Sequence, residues 1–276
     1  MTVRAAVVGH VEWVTHARGD LPQTGHIAHL TDAFDEPAGG AVVAATQMVR
    51  LGARCTLYTA LGNDALGDQA RAGLTETELN LAVAERAEPQ PRALSVVGDS
   101  GERTIMVTGG RLAPTIDDPL PWGALAKSDA VYFIGDDPRT LIATRAARHL
   151  VVSARRLPVL VASGVMADVI VASTGDPAEV VDLAALPEPP RALVLTEGAR
   201  GGRIVVGGRE RRYAPAEPAR PLVDTYGAGD SFAGGLTLGL GLGLPLDEAV
   251  ALGARCGAAA LTGRGGLGTQ LDTLTS

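Results

Sequence analysis

Short apolar runs alternate with longer alanine- and leucine-rich stretches along most of the chain. Because buried parallel strands read as continuous apolar runs, the short runs predict strands at residues 5–8, 55–58, 130–134, 159–162, 169–172, 192–196 and 204–206. The longer stretches predict helices at residues 39–51, 64–74, 139–152, 228–240 and 246–262, with an acidic helix start at Asp176. Strands that alternate with helices in this way indicate an α/β fold, with a doubly wound, mainly parallel sheet and helices on both faces.

Two regions interrupt this alternation. Residues 10–35 are polar and contain a predicted strand at residues 26–30. Residues 81–107 contain two β-like runs, joined by Gly-Asp-Ser-Gly-Glu, that indicate a hairpin. The two regions are expected to pair into a small β lid over one end of the sheet. We therefore expect a single domain over residues 1–276, with lid strands inserted near 10–35 and 81–107.

Composition excludes several classes of protein. The 276 residues are 46% hydrophobic but only 3% aromatic, so the core must be aliphatic. The net charge is −7 and no stretch is basic, which argues against nucleic-acid binding. No stretch approaches the roughly 20 apolar residues that a membrane helix needs, and no signal peptide is visible. We expect a soluble, cytoplasmic protein.

The segment Asp-Thr-Tyr-Gly-Ala-Gly-Asp, residues 224–230, carries the strongest chemical signal. It precedes a predicted helix, whose first amides and partial positive charge favour a bound phosphate. Glycine lets the backbone approach a ligand closely. Asp230 would lie in the first turn, where a carboxylate could accept a proton from a hydroxyl group. The alternative is that Asp230 is an ordinary first-turn acid that follows a plain turn.

This segment matches in full the D-T-x-G-A-G-D signature of the ribokinase-like (PfkB) family of carbohydrate kinases, which the chain resembles. The resemblance implies transfer of the γ-phosphoryl group of ATP to a hydroxyl, expected to be a CH2OH, of a small sugar or sugar derivative. It implies that Asp230 is the catalytic base and that Gly227, Ala228 and Gly229 form the anion hole. It also implies a monovalent cation, such as K⁺, near Asp224.

Further segments carry the resemblance across nearly the whole chain. Leu61 to Gly67 resembles a (I/V/L)-G-x-D-x-x-G step of the family, and Gly101 to Thr104 resembles a hairpin turn. Gly39 and Gly40 resemble the pair that lines the sugar, which implies that they face the acceptor. The family also pairs through its lid strands, so a homodimer formed by the lid is expected.

The nucleotide and metal residues are expected at the ends of two late strands. Asp176 and Glu179 resemble the N-x-x-E element, with Asp in place of Asn, that handles Mg²⁺ through water. One or two carboxylates suffice for Mg²⁺, which keeps several waters; the alternative is an acidic helix start. The nucleotide is expected to contact four residues, three of which resemble a T-x-G-x-x-G turn: Thr196, Gly198, Gly201 and Thr225. Strand ends bind ligands in α/β sheets, although an ordinary turn would look similar.

The sugar half of the pattern departs from the family. Where members related to ribokinase carry N-x-D after the first strand, this chain has Glu12 and Val14, and Ala44 replaces the Asn after the glycine pair. Glu12 is expected to bind the acceptor, because a carboxylate accepts two hydrogen bonds from a diol. The alternative is a solvated loop acid.

Three other functions are weighed against the sugar kinase. A nucleoside kinase would use the same motifs, because a nucleoside also offers a CH2OH group. A non-catalytic sugar- or nucleotide-binding regulator on the same fold would bind its ligand without turnover. Residues 263–268 match G-x-G-x-x-G, but they follow a predicted helix near the C-terminus rather than joining a strand to a helix. We therefore reject a dinucleotide-binding enzyme and expect these glycines to close a loop near the nucleotide base.

Overall fold

A computed structural model describes residues 2–99 and 101–274. Within those residues the strands are β1 Arg4–Val8, β2 Glu12–Arg18, β3 Thr31–Ala38, β4 Arg54–Gly62, β5 Asn80–Arg86, β6 Arg92–Val97, β7 Arg103–Thr108, β8 Ala130–Phe133, β9 His149–Ser153, β10 Val169–Ser173, β11 Ala192–Thr196, β12 Gly202–Val206 and β13 Arg209–Tyr213. The α-helices are α1 Gly40–Arg50, α2 Ala65–Thr75, α3 Pro138–Thr144, α4 Leu157–Ser163, α5 Ala228–Gly241 and α6 Leu246–Ala260. None of these helices is both long and apolar enough to cross a membrane.

The central sheet has the strand order β13-β12-β11-β10-β9-β8-β1-β4-β5 in the described part of the chain. Every pairing from β11 to β5 is parallel, and β12 and β13 add an antiparallel edge. This order, with helices between the strands, confirms the predicted doubly wound α/β class. The chain order reverses beside β1, and such a reversal is where open α/β sheets bind ligands, at the carboxyl ends of the strands.

Helices cover both faces of the central sheet. On one face, Ala5 and Val7 of β1 pack in a core with α1, α5 and α6. On the other face, Ala6 and Val8 pack in a core with α3 and α4. Because successive strand residues point to opposite faces, a strand buried on both sides must be apolar throughout. This is why the continuous apolar run of β1 was readable from the sequence.

A second sheet, with the order β3-β2-β6-β7, forms the lid sheet. β2 and β6 run parallel, whereas β2–β3 and β6–β7 are antiparallel hairpin-like pairs. The small β lid of the predicted fold class is therefore present, but its limits differ from those expected. Its strands cover residues 12–38 and 92–108, whereas residues 80–86 pair with β4 in the central sheet. The strand expected at residues 26–30 is wrong, because the pairing with β2 begins only at Thr31.

Two predictions in the middle of the chain are also wrong. The helix expected over residues 139–152 ends at Thr144, and His149–Ser153 instead forms β9, whose Val151 and Val152 are buried in the sheet. The strand expected at residues 159–162 belongs to α4, which has a proline in its first turn and is capped after Ser163 by Gly164, with φ of +65°. Its apolar residues were mistaken for a strand because short apolar runs fit both structures.

Candidate active site

The glycine-rich segment before Asp230 forms the start of helix α5. Gly227 precedes the helix with a φ of +73°, a conformation that glycine adopts without strain. The Ser231 amide donates a helical hydrogen bond to the Gly227 carbonyl oxygen, at 2.8 Å. Ala228 and Gly229 come before that bond, where a helix presents amides without intrahelical acceptors and carries partial positive charge. The Ala228 amide makes only a long hydrogen bond, of 3.5 Å, to the Thr225 carbonyl oxygen. The segment can therefore hold a phosphate group.

The predicted base, Asp230, lies directly beside the predicted acceptor residue Gly40. A Cβ atom added to Gly40 would lie only 2.5 Å from Oδ1 of Asp230 and 3.0 Å from Cδ1 of Ile134. Gly39, which has a φ of +96°, donates its amide hydrogen to the Tyr226 hydroxyl at 3.2 Å. The starts of α1 and α5 thus meet, and the absence of a side chain at Gly40 lets the Asp230 carboxylate lie this close to α1.

Burial raises the pKa of Asp230 from its ordinary value of 3.8 to about 6. The positive charges of Arg103 and Arg155 oppose this increase in pKa, whereas the negative charges of Glu179 and Glu12 add to it. Asp230 therefore interacts electrostatically with Arg103 and Glu12 of the lid sheet. It also interacts with Arg155 and Glu179, which follow β9 and β10 of the central sheet. A carboxyl group with such a pKa is mostly ionised at neutral pH and remains basic enough to accept a proton.

Asp224, the first residue of the signature, is buried and holds two loops together. Its Oδ1 accepts a hydrogen bond from the Tyr226 amide at 2.8 Å, and its Oδ2 accepts one from the Gly265 amide at 3.0 Å. The glycine-rich segment at residues 263–268 therefore closes against the signature and does not open a helix.

Glu12 begins β2 and faces the same region. Burial raises the pKa of Glu12, and the positive charge of Arg111 opposes that change. Nε2 of His10 lies 3.8 Å from Oε1 of Glu12. Burial, together with the positive charges of Arg111, Arg156 and Arg155, lowers the pKa of His10 to about 3, so this histidine is neutral at pH 7. The contact is therefore not an ion pair, and the Glu12 carboxylate remains able to accept hydrogen bonds from a ligand.

Asp176 and Glu179 lie together, but both contact an arginine that the sequence did not single out. Arg155 forms an ion pair with Asp176, and its Nε lies 2.8 Å from Oε1 of Glu179. Glu179 also accepts a hydrogen bond from the Ser173 amide at 2.6 Å, while burial raises its pKa. The expected helix is absent here, since Pro177–Glu179 forms only a single 3₁₀ turn.

Asp176 and Glu179, called the acid pair, offer Mg²⁺ only a few donor atoms. Within residues 2–99 and 101–274, no group of three or more His, Cys, Asp or Glu residues is arranged to hold a metal ion. Because Arg155 contacts both carboxylates, Asp176 and Glu179 fit Mg²⁺ only through bridging water, as Mg²⁺ readily allows. Mg²⁺ bound in this way would neutralise phosphate charge.

The residues predicted to border the nucleotide lie at the same edge of the sheet as the acid pair. Thr196 ends β11 and is in register with Ser173 at the end of β10. Gly198 and Gly201 follow it in a turn, with φ values of +59° and +77°. The Thr174 amide donates to the Thr196 carbonyl oxygen at 3.0 Å, which ties the two strand ends together.

Thr225 connects the signature to the turn of the lid sheet. Its hydroxyl accepts a hydrogen bond from Arg103 at 3.0 Å and donates one to the Gly101 carbonyl oxygen at 3.3 Å. The Arg103 guanidinium also lies 5.7 Å from the centre of the Tyr226 ring. Thr225 therefore contacts the lid in addition to any nucleotide, and the lid brings a positive charge near Asp230.

Sequence reasoning missed most of the arginines around this site. Arg155 and Arg156 follow β9, which was expected to be part of a helix, so their position at a strand end was hidden. Arg111 lies in the segment after the lid hairpin and has no motif around it. The only available signal was the position of Arg155 and Arg156 directly after an apolar run.

A glycine-rich helix start beside a carboxylate, at the ligand-binding edge of a doubly wound sheet, suits phosphoryl transfer to a small molecule, the reaction of a small-molecule kinase. The chain belongs to the pfkB family of carbohydrate kinases, whose sequences match residues 5–163 and 167–273. A curated relative, acarbose 7(IV)-phosphotransferase from an Actinoplanes species, is 30% identical over 239 residues, which cover 77% of this chain and 76% of the relative.

Solved structures of the family share the fold. Phosphofructokinase-2 from Escherichia coli aligns with a TM-score of 0.77 and 18% identity, over 99% of this chain and 96% of that one. Ribokinase from Arabidopsis thaliana, solved with ribose and ATP, aligns with a TM-score of 0.72 and 17% identity, over 95% and 94% of the two chains. The family uses ATP and a small sugar-type substrate, and this chain is accordingly a phosphotransferase.

Proposed function

We propose that this kinase transfers the γ-phosphoryl group of ATP to a hydroxyl, most simply a CH2OH group, of a small sugar or sugar derivative. The observation that carries the proposal is the contact between Gly40, at the start of α1, and Asp230, in the first turn of α5. An acceptor hydroxyl bound at the Asp230 carboxylate would lie beside the phosphate-binding start of α5. Glu12 and Gly39 would complete the acceptor site.

The reaction follows from these positions. Asp230 accepts the hydroxyl proton as the acceptor oxygen bonds to the γ-phosphorus atom. The bond between that phosphorus and the β–γ bridging oxygen breaks, and ADP leaves. The amides of the anion hole, formed by Gly227, Ala228 and Gly229, offset charge on the transferred group. Arg103 adds positive charge from the lid sheet, since it is close enough to lower the pKa of Asp230. Thr196, Gly198, Gly201 and Thr225 would border the nucleotide.

The proposal is tested by measuring ADP release from Mg·ATP with a panel of acceptors. The panel should hold pentoses, hexoses, hexose phosphates and nucleosides, together with acarbose, for which the Actinoplanes relative is named. Stimulation by a sugar supports the proposal. A preference for nucleosides would favour the nucleoside kinase, since adenosine and cytidine kinases match 23% of this chain. Ligand binding without turnover would favour the regulator.

The rate should depend on the ionisation of Asp230. Because the pKa of this base is about 6, kcat/KM should be constant above pH 7 and fall about tenfold per pH unit well below pH 6. The measurement is a pH–rate profile at saturating Mg·ATP with an acceptor that does not titrate between pH 5 and 8. A profile that stays flat down to pH 5 would contradict Asp230 as the base.

Glu179 should set the concentration of Mg²⁺ that the reaction requires. Replacing Glu179 by Gln removes its charge, so we expect the Mg²⁺ concentration for half-maximal rate to rise roughly tenfold or more. Asp182→Asn is the matched control, because Asp182 caps the next 3₁₀ turn through the Ala184 amide. If both variants respond to Mg²⁺ like the wild type, the acid pair does not organise the metal.

We also propose a homodimer formed through the lid sheet. β7 is an edge strand, and its Ile105, Met106 and Val107 are 40%, 41% and 52% exposed. An exposed apolar edge strand favours pairing with another chain. Analytical ultracentrifugation should give twice the 28.2 kDa chain mass, and Val107→Lys should give the monomer mass. Val206→Lys, on the central sheet, is the control and should not change the mass.

We extend the proposal to the domain organisation, a bound cation and the location of the enzyme. Residues 1–276 act as one ribokinase-like domain with the lid strands as insertions. A monovalent cation such as K⁺ binds near Asp224, whose carboxylate borders the anion hole. The enzyme works in the cytoplasm, where ATP is supplied.

A further inference from the structure

A cavity of about 750 Å³ lies at the base of the lid sheet. Its wall includes the start of β6 at Arg92 and the segment after β7, from Gly109 to Arg111. A Cβ atom added to Gly110 would have no neighbour within 4 Å, so this wall leaves the cavity open. A cavity of this volume can hold a small polar ligand.

The charged groups around the cavity leave one excess positive charge. The charged groups that line it, or pair directly with its lining, are four guanidinium groups, on Arg86, Arg92, Arg111 and Arg156, and three carboxylates, on Glu88, Asp118 and Asp136. Arg86 is matched by a bidentate contact with Asp118, at 2.8 and 2.6 Å. By contrast, two arginines share Asp136: Arg111 at 3.4 Å and Arg156 at 3.0 Å. One carboxylate cannot balance both, which leaves cationic charge available to a ligand.

A short chain of contacts connects residues around the cavity with the neighbourhood of the Asp230 carboxylate. Arg156 donates its Nε–H to the Ile134 carbonyl oxygen at 2.9 Å. The Cδ1 atom of Ile134 lies beside Gly40, which in turn adjoins Asp230. On the other side, Gln90 lines the cavity and donates to the Val11 carbonyl oxygen, next to Glu12. The cationic cluster is therefore on the acceptor side of the base.

We propose that the acceptor carries a carboxylate or phosphate group, which Arg111 and Arg92 bind in this cavity while its hydroxyl lies at Asp230. This inference rests on the proposed kinase function. In the described part of the chain, neither Arg111 nor Arg92 forms a hydrogen bond or ion pair with the signature segment; Arg111 pairs with Asp136 at the cavity. Arg111 also lowers the pKa of Glu12, on the acceptor side. Arg156 pairs with Asp136 and adds a positive charge next to the cavity.

The test compares pairs of related acceptors of which one member carries an anionic group. Fructose is paired with fructose 6-phosphate and glucitol with gluconate, because each molecule keeps a CH2OH group and one of each pair is anionic. With the wild type, kcat/KM should be at least tenfold higher for the anion of one pair, and which pair responds distinguishes a phosphate from a carboxylate. Arg111→Gln should raise the KM for that anion roughly 10–100-fold, as expected for one lost charge-assisted hydrogen bond, while the KM for ATP stays the same.

Arg211→Gln is the matched control. Arg211 and Arg111 each pair with one aspartate and are each 43% exposed, but Arg211 lies on β13. This control should leave every KM unchanged, and Arg111→Lys should recover part of the affinity. Equal use of both members of each pair, or an Arg111→Gln variant with an unchanged acceptor KM, would overturn the proposal.

A binding measurement separates this inference from the kinase function itself. Calorimetry on the Asp230→Asn protein should detect fructose 6-phosphate or gluconate, and Arg111→Gln in that background should abolish the heat. If the anion binds in this way but no acceptor stimulates ADP release, the kinase proposal fails while the anion site stands. If turnover occurs with neutral sugars only and no anion binds, the anion site fails while the kinase stands.

Discussion

Asp230→Asn should lower kcat by about 10²–10⁴ at pH 7.5 and leave the KM for ATP nearly unchanged. The amide has the shape of the carboxylate, but it cannot take the hydroxyl proton. The free energy of unfolding of the variant should increase, although its activity falls. Since burial raises the pKa of Asp230 to about 6, the native state binds a proton more tightly than the unfolded chain. The wild type therefore loses stability as the pH rises from about 4 to 6.

The neutral Asn does not titrate, so the variant should be more stable than the wild type above pH 6, by up to about 3 kcal/mol. Urea unfolding at pH 5 and pH 7.5, with ADP release measured on the same samples, checks both parts. The gain should shrink at pH 5, where the wild-type carboxyl is largely protonated. An inactive variant that is also less stable at pH 7.5 would indicate a structural role for Asp230, and an active variant would exclude it as the base.

Gly40→Ala should lower kcat/KM about 100-fold, which is the second-largest effect that we expect. The new methyl group would lie 2.5 Å from Oδ1 of Asp230, closer than any relaxed contact, so the carboxylate or helix α1 must move. A displacement on the order of 1 Å near the reacting groups is enough for a loss of this size. Overpacking should also cost about 1–3 kcal/mol of stability. Acceptor kinetics and thermal unfolding together measure the two effects.

Gly123→Ala is the control for that substitution. A Cβ atom at Gly123 would have no neighbour within 4 Å, so this variant should behave like the wild type. If Gly40→Ala keeps full activity, the acceptor does not approach Asp230 from the side of Gly40, and the proposed acceptor site is wrong.

The part of the site that could be predicted from the sequence is the part built from adjacent residues. A glycine-rich helix start followed by a carboxylate is a local arrangement, so residues 224–230 indicated both the turn and the position of Asp230. The contact between Asp230 and Gly40, by contrast, joins two helices that are 190 residues apart in the chain. Only the resemblance to a family suggested that Gly40 belongs to the site.

The positions of the arginines around the site could not be predicted from the sequence. Finding Arg155 beside Asp176 and Glu179 requires knowing that β9 and β10 are neighbours, but β9 was expected to continue a helix. Arg111 reaches the acceptor side from a segment without regular secondary structure, where no periodicity applies. In the lid sheet, β2 was missed because it is half polar, and the pairing of β2 with β6 joins segments that are distant in the sequence.

The polar contacts between the lid turn and the signature have a consequence for product release. Among the described residues, Arg103 donates a hydrogen bond to the Thr225 hydroxyl, that hydroxyl donates one to the Gly101 carbonyl oxygen, and the Arg103 guanidinium lies over the Tyr226 ring. Contacts of these kinds contribute about 0.5–1.5 kcal/mol each. Because Arg103 takes part in two of them and also brings positive charge near Asp230, departure of the phosphorylated product would change the charge that acts on the same side chain that holds the turn against the signature.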